Sequence, residues 1–600
     1  MYKTKNGLIL KLFTCSFFHH HYLNYLYFCL VMKNKKQTSI SKDKKTIKSI
    51  TWFDKINQLP ERYSERSILL FFLGWALLMA MINFNARISE AHDDALYIEA
   101  AYRFVTEFPN YFYTANAPFY PMFLAVLMKL FGFKLIVFKL FNVLFLLLSV
   151  YFYFKAFFKK VPFVVLLPVM FFVSGNHHII YFSSMTFTES MFMFFQGLLF
   201  YVVRLFLDRY VHLQHKDFKH LYKEYLLIGL SVFLLMITRS GAIVLIPTIV
   251  LFFLWIIKDK KAVVYSILSW LVFYLPYKLL IRLVFGNVSQ YSNQSKILLQ
   301  KDPYDASLGQ EDFAGFIQRF LDNSELYLSK RFFQIIGWMN EQSTDTYGIL
   351  ALLMWGMFLW GSWKIYKQKH YLLLFSSIYT LGLMALSFVI LQARWDQPRI
   401  IMVAMPVLLL VYFYLFYQVF HTSVFWKKVY TLLIFIFIAS MMISTIKRGI
   451  NNIPIVIKNL QGDIYYGYTP DWQNFLKASE WCGKNLPETA YVASRKAPMS
   501  FIYGKRKFFP IYSVIKKDPE TNQSNPDSAL IFFKDNKVTH ILLANLRVDP
   551  TKNTGQVINT IHNILEPISK KYPESLKLIH TEGEVEPCYV YEIHYPENLK

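Results

Sequence analysis

Ser67-Ile-Leu-Leu-Phe-Phe-Leu-Gly-Trp-Ala-Leu-Leu-Met-Ala-Met-Ile-Asn-Phe84 carries no charged side chain from end to end. A helix of about 20 apolar residues crosses the roughly 30 Å hydrocarbon core of a bilayer. A soluble chain of 600 residues would instead divide into several domains with periodic, half-polar helices. Thr431–Ser444 is a second uncharged run, and blocks of similar character recur between them. With 55% hydrophobic and 18% aromatic residues, the chain is too apolar for an average soluble enzyme. These blocks specify a polytopic α-helical membrane protein.

Working outward from this run, the segment Lys33–Arg66 is polar and basic, with ten Lys/Arg against four Asp/Glu, which puts it in the cytoplasm. About eleven transmembrane helices are predicted, at 67–84, 135–154, 162–175, 188–207, 225–238, 242–257, 262–281, 347–363, 371–391, 399–419 and 429–446. Starting inside, every inner connection is basic: Lys155, Lys159 and Lys160; Arg204 to Lys223; Lys258 to Lys261; Lys364 to Lys369; Lys427 and Lys428. The connection Asn287–Asp345 is acidic by contrast, and Lys134 and Lys139 are a mild exception on that side. The net charge of +25 therefore reflects membrane topology, and no nucleic-acid partner is expected.

Three regions follow: 1–66, an N-terminal cytoplasmic segment; 67–449, the transmembrane domain, with a first external loop at 85–134 and a large one at 282–346; and 450–600, a soluble domain outside the membrane. Leu8–Met32 is apolar but interrupted by His19, His20 and His21, with no small-residue cleavage site. It reads either as an extra anchor helix or as upstream sequence with the start at Met32, the second being preferred. The last region shows helical stretches at Asp471–Asn485 and Asp527–Asn536, with strands at Ala490–Ser494, Thr539–Ala544 and Tyr589–His594. That alternation predicts a small α/β domain. Cys482 and Cys588 both fall within it, and a disulfide and two separate thiols stay open alternatives.

The stretch after the first helix is the one that carries chemistry. Asp93 and Asp94 stand where the chain leaves the membrane. A partly desolvated carboxylate at the mouth of an intramembrane cavity can take a proton from an alcohol. Asp is also a preferred N-cap, so a solvated pair capping the next helix is the competing reading. Asn116-Ala-Pro-Phe-Tyr-Pro121 then breaks regular structure, and Met122–Phe131 is an apolar helix too short to span. An acidic helix and a second surface helix, joined by a proline-marked turn, are expected here.

Asp93-Asp94-Ala-Leu-Tyr, Pro118-Phe-Tyr-Pro121 and Lys129-Leu-Phe-Gly132 resemble the first external loop of the C-type glycosyltransferases, the superfamily of the protein O-mannosyltransferases and lipid A aminoarabinose transferases. The usual motif there is Asp-Glu with a double proline afterwards; this chain has Asp94 for Glu and Ala117-Pro118. Ser183-Ser-Met-Thr-Phe-Thr-Glu189-Ser190, Thr238-Arg-Ser-Gly241, Gln397-Pro-Arg399 with Pro406, Trp481–Glu488 and Tyr491–Lys496 resemble later segments in order. The resemblance covers about Ser67 to Ser513.

The resemblance implies a helical membrane domain with surface helices and an external α/β domain, acting on a polyprenyl-phosphate-linked sugar. Asp93 would be the general base on an acceptor hydroxyl of a lipid, glycan or protein, with any role of Asp94 left open. Arg239 and Arg399 would hold the departing phosphate. Independently, an arginine at the membrane is costly and usually has an anionic partner, and a guanidinium grips phosphate through two hydrogen bonds; interfacial snorkelling is the alternative. Glu189 would favour a helix N-terminus or orient Arg239 or a sugar hydroxyl. His177 and His178 are candidates to contact the phosphate or a metal, with a polar pair at the membrane interface as the competing and preferred reading. No cofactor is expected and no metal-ligand set is complete, with a divalent cation left open. A transporter of lipid-linked sugars and a non-catalytic relative stay as other classes, although a transporter should carry ionisable residues deep inside helices. A bacterial plasma membrane, with the site and C-terminal domain outside the cytoplasm, is the expected location.

Overall fold

Ser64 starts the first long helix, its hydroxyl accepting the Ser67 amide at 3.1 Å and so satisfying one orphan donor. The computed structural model describes residues 51–600 except 91, 214–217, 289–291, 304, 519, 522, 548–560, 598 and 600. The expectations for residues 1–50, including His19–His21 and a start at Met32, lie outside the described residues. Among the described residues eight helices are long and apolar enough to cross a membrane: Glu65–Ile82, Leu135–Phe157, Glu189–Tyr210, Phe218–Thr238, Lys260–Phe285, Gly348–Lys367, Tyr371–Ile390 and Val424–Leu460. A further candidate is the pair Phe163–Gly175 and His177–Ser183, bent by 41°. The bend has a local cause: the Asn176 side chain accepts the amides of His178 and Ile179 and caps a new helix. The other two expected spans fall on shorter apolar stretches, Ser240–Ile256 and Met405–Phe420. The chain is an integral membrane protein.

The last long helix extends beyond the span predicted at 429–446. The helix Val424–Leu460 runs on for 37 residues, past the domain boundary set at 450. At 1.5 Å per residue it is about 55 Å long, well beyond a bilayer core. Ile450–Leu460 is apolar enough to continue the helical face, and the proline at 454 does not end it. The connection 282–346 carries regular elements of its own. It holds a hairpin of β1 (Gln300–Asp302) and β2 (Asp305–Gln310), then a helix Phe313–Glu325 that continues as a π-turn and a short helix to Ile335.

The two surface helices are His92–Thr106 and Phe119–Phe131. The second ends at Gly132, whose φ of +75° lets the chain turn into the next span at no steric cost. Beyond Leu460 a five-stranded mixed sheet forms from β3 (Val492–Ser494), β4 (Phe508–Pro510), β5 (His540–Leu543), β6 (Leu576–Glu582) and β7 (Cys588–Ile593). Its order is β4-β3-β5-β7-β6, with β3 parallel to β4 and β5, and β7 antiparallel to β5 and β6. The helices Pro526–Asp535 and His562–Lys571 cover one face through Ala529, Leu530, Phe533, Ile564 and Ile568. Pro470–Asn485 packs on Ala497–Gly504 so closely that a Cβ at Gly483 would lie 1.9 Å from the Gly504 carbonyl oxygen. Cys482 and Cys588 are free, buried thiols. Burial pushes the Cys482 thiol up to about 12, so it carries no reactive thiolate at neutral pH.

The sheet domain rests on the first surface helix. Phe501 packs at a tilt against Tyr102 with ring centroids 4.9 Å apart, and Tyr468 donates its hydroxyl to the Ile88 carbonyl. Glu99 lies in this contact, facing Arg103, Lys507, Tyr491 and Tyr512. Burial raises its carboxyl to about 7, with Arg103 and Lys507 opposing and Glu107 adding to the rise. A carboxyl raised in the folded state favours folding most below its unfolded pKa, and that advantage disappears as pH rises through about 7. The native chain should therefore lose stability relative to Glu99→Gln between pH 4.5 and 7.5, by at most about 3 kcal/mol. Thermal unfolding of the purified protein across that range tests this; parallel pH profiles for the two proteins would refute it.

Candidate active site

Four segments that are remote in sequence bring four charged groups together. Asp93 is in the first turn of the surface helix His92–Thr106. Arg239 lies at the end of the helix Phe218–Thr238, where the backbone turns extended (φ −147°) before a 3₁₀ turn. Arg399 opens a short helix after the loop Gln392–Pro398, and Glu189 is the first residue of its own helix. An Nη of Arg399 donates to Asp93 Oδ2, and its other Nη is 3.9 Å from Glu189 Oε1. That same Glu189 oxygen accepts from Arg239 Nη1 at 2.8 Å. The result is a chain Asp93–Arg399–Glu189–Arg239. Glu189 is only 1% exposed, while Asp93 retains 28% and Arg239 27% side-chain exposure. The acid in the middle is thus sealed, and its neighbours are reachable.

Buried backbone groups position this set. Lys139, fully buried, donates to the carbonyls of Arg87 at 2.8 Å and Ser184 at 3.0 Å. Asn142 donates to the carbonyls of Met185 and Phe187 and accepts from Tyr120. These two side chains hold the segment that leads into Glu189, since buried carbonyls must find donors. Lys139, the exception to the charge rule, is therefore an internal strut.

The two adjacent aspartates part company. Asp94 is fully buried and accepts the amides of Ser89 and Ala95 at 2.8 Å. Burial pushes its carboxyl above the usual carboxylate range, while the Lys139 charge and the Ser89 hydrogen bonds pull it back. Asp93 faces Arg399 and the phenol of Tyr97, a residue sequence reasoning did not single out. Burial, then the charge of Asp93, holds that phenol well above its ordinary value, so it stays protonated. Lys496, from the turn after β3, is also buried on this side and faces Asp93, Asp94 and Glu90, its ammonium donating to the Glu90 carbonyl at 3.3 Å. It lies inside the quoted stretch Tyr491–Lys496, where a basic residue after a strand was the available signal.

His177 and His178 open a short helix of their own, His177–Ser183. His178 Nε2 lies 3.3 Å from Glu341, which Arg448 also contacts at 2.6 Å. Burial raises the Glu341 carboxyl, but the facing His178 and Arg448 outweigh it and bring it to about 2. Among the described residues no three His, Cys, Asp or Glu side chains converge as metal ligands.

Arg399 is aimed by its own loop. Its Nε donates to Gln397 Oε1 at 2.6 Å, and its guanidinium lies 5.4 Å from the centre of the Phe187 ring. Asp396 adopts a left-handed backbone conformation (φ 38°) and is clamped by Lys330 at 2.8 Å and by Arg331 through Nε at 2.5 Å, with Arg331 Nη2 on its carbonyl at 2.7 Å. Lys330 and Arg331 thus share Asp396 as Arg239 and Arg399 share Glu189. Asp396→Asn should leave two partly buried cations without their counter-charge and let the Arg399 loop drift. A fall in kcat/KM of about tenfold or more is expected, with Arg399 itself intact; an unchanged value in the transfer assay below would show that the clamp does not matter.

No protein-family model matches the sequence, and no curated protein matches it. Solved structures do. The archaeal oligosaccharyltransferase AglB from Archaeoglobus fulgidus, in complex with an inhibitory peptide and a dolichol-phosphate, superposes with a TM-score of 0.55 at 12% identity, over 87% of this chain and 80% of that one. ArnT from Cupriavidus metallidurans, bound to undecaprenyl phosphate, gives 0.52 at 10% identity, over 89% of this chain and 99% of that one. At such identities the likeness establishes the architecture. The chain shares the fold of these two proteins, with a helical membrane domain followed by a soluble α/β domain.

Proposed function

We propose that this protein is a membrane glycosyltransferase that moves a sugar from a polyprenyl-phosphate donor to an acceptor hydroxyl outside the cytoplasm. The observation that carries it is the Asp93–Arg399–Glu189–Arg239 chain, assembled at one end of the helix bundle in a fold whose solved examples include complexes with dolichol-phosphate and undecaprenyl phosphate. In the reaction, Asp93 accepts the proton of the acceptor hydroxyl as its oxygen bonds to the anomeric carbon. The bond from that carbon to the phosphate oxygen breaks, and the electron pair leaves with the polyprenyl phosphate. Arg399 and Arg239 stabilise the charge that develops on the departing phosphate. A single displacement of this kind inverts the anomeric configuration. The basic connections on the opposite side of the membrane support placing the site and the sheet domain outside, and a bacterial plasma membrane is the proposed setting.

The test uses the purified full chain in liposomes with radiolabelled polyprenyl-phosphate sugars and a panel of lipid, glycan and peptide acceptors. Label passing into one acceptor class, with stoichiometric release of polyprenyl phosphate, is the expected result. Donor flipped across the bilayer without cleavage would replace the transferase reading with transport.

A further inference from the structure

Three helices that reach the Asp93 end of the bundle have their other ends around a cleft of about 190 Å³. They are Leu135–Phe157, Glu189–Tyr210 and Tyr371–Ile390. Glu189 and Asp208 stand near opposite ends of one helix of 22 residues, about 33 Å long at 1.5 Å per residue. The cleft is therefore a bilayer core away from the candidate active site. One wall is apolar, formed by Phe157, Val161, Leu207 and the largely exposed Val211. The other is charged, with Lys160, Arg204 and Lys369 as its cations and Asp208 as its acid. Asp208 pairs with Lys160 and lies 3.5 Å from Arg204 Nε, and Arg204 Nη1 donates to the Lys155 carbonyl. Lys369 sits in the short turn between two spans, in the left-handed region at φ 58°. Among the described residues no acid pairs with its ammonium. Burial lowers the imidazole of the adjacent His370 below its ordinary value, so it adds no charge at pH 7.

A cleft that is apolar on one side and cationic on the other, at the depth where helices leave the hydrocarbon, fits an amphiphile whose phosphate lies next to its apolar part. We propose that it binds the headgroup of an anionic phospholipid in the leaflet opposite Asp93. The phosphate oxygens accept from the Lys369 ammonium and from the N–H groups that Arg204 has left over. The glycerol end rests on Leu207 and Val211. Phe152 and Tyr201, half-buried and 5.8 Å apart on two of the same helices, offer an aromatic surface to the acyl chain that follows. A zwitterionic lipid brings the same phosphate, but its ammonium meets the same cations, so a net negative headgroup is preferred. A free phosphate gains nothing from the apolar wall. The site is remote from the sugar chemistry and does not depend on the transferase reading.

The full chain in detergent is titrated with phosphatidylglycerol, phosphatidylcholine and glycerol 3-phosphate, and bound molecules are counted by native mass spectrometry. The first phosphatidylglycerol should bind at least about tenfold more tightly than phosphatidylcholine or glycerol 3-phosphate. Lys369→Gln and Arg204→Gln should each weaken it about fivefold. Asp208→Asn removes the acid that competes with the lipid phosphate and should tighten it by a similar factor, a gain that misfolding cannot mimic. Lys428→Gln, an exposed lysine on the same basic side of the membrane but outside the cleft, should leave it unchanged. Equal binding of the two lipids, or equal losses in Lys369→Gln and Lys428→Gln, would show only diffuse surface charge and overturn the site. Glycerol 3-phosphate binding as tightly as phosphatidylglycerol would assign the cleft to a soluble phosphate and overturn the lipid assignment. Should Arg204→Gln fail to fold, Lys369→Gln and Asp208→Asn carry the test.

Discussion

Asp93→Asn should abolish sugar transfer, lowering kcat by about 10²–10⁴ while the protein stays folded. Asparagine keeps the size of the side chain, and its Oδ1 still accepts from Arg399, so the local hydrogen bond survives. What it cannot do is take the proton of an attacking hydroxyl. The companion change Asp94→Asn is expected to act differently. Asp94 is fully buried against the amides of Ser89 and Ala95, and its loss should appear mainly in expression and thermal stability. Measuring both variants for transfer and for unfolding distinguishes the roles. If Asp94→Asn proves the inactive but stable one, the base has been assigned to the wrong aspartate.

Lys139→Met should be among the most damaging single changes to stability, costing about 3–5 kcal/mol. It removes the donor to two buried carbonyls, Arg87 and Ser184, and strips the buried Asp94 of its facing positive charge. Adding Asp94→Asn to Lys139→Met should recover part of the loss, because no uncompensated charge is then buried, but not the part due to the carbonyls. The readout is the midpoint of thermal unfolding in detergent for the single and double variants. A Lys139→Met protein that melts with the native one would mean that the buried ammonium is no strut.

The elements most legible in the sequence were those with strong local signals. The uncharged run Ser67–Phe84 gave its helix to within two residues at either end, and the elements at Asp471–Asn485, Asp527–Asn536 and Tyr589–His594 were found to within one. Asp93, Glu189, Arg239 and Arg399 each stood out because charge next to an apolar block is expensive. Their convergence was not readable from any one segment, since Asp93 and Arg399 are 306 positions apart. Periodicity also could not tell Asp93 from Asp94; the register of one helix turns one toward Arg399 and the other toward Lys139. Lys139 looked like a flaw in the charge pattern because burial is invisible in composition. The helix Phe313–Glu325 was lost inside an acidic connection, its apolar face interrupted by charges such as Arg319, which caps the carbonyls of Leu298 and Ile390.

The grip of Arg399 on Asp93 has a kinetic corollary under the proposed chemistry. One guanidinium is asked to serve two anions: the carboxylate that must accept a proton and the phosphate that must depart. While it clasps the carboxylate, the base is muted. Arrival of the lipid phosphate gives Arg399 a second claimant and loosens its hold on Asp93, with Glu189 keeping it within reach. The donor would then have to dock before the acceptor can be activated, making the mechanism compulsory-ordered. An empty protein would meet stray alcohols and water with its base silenced.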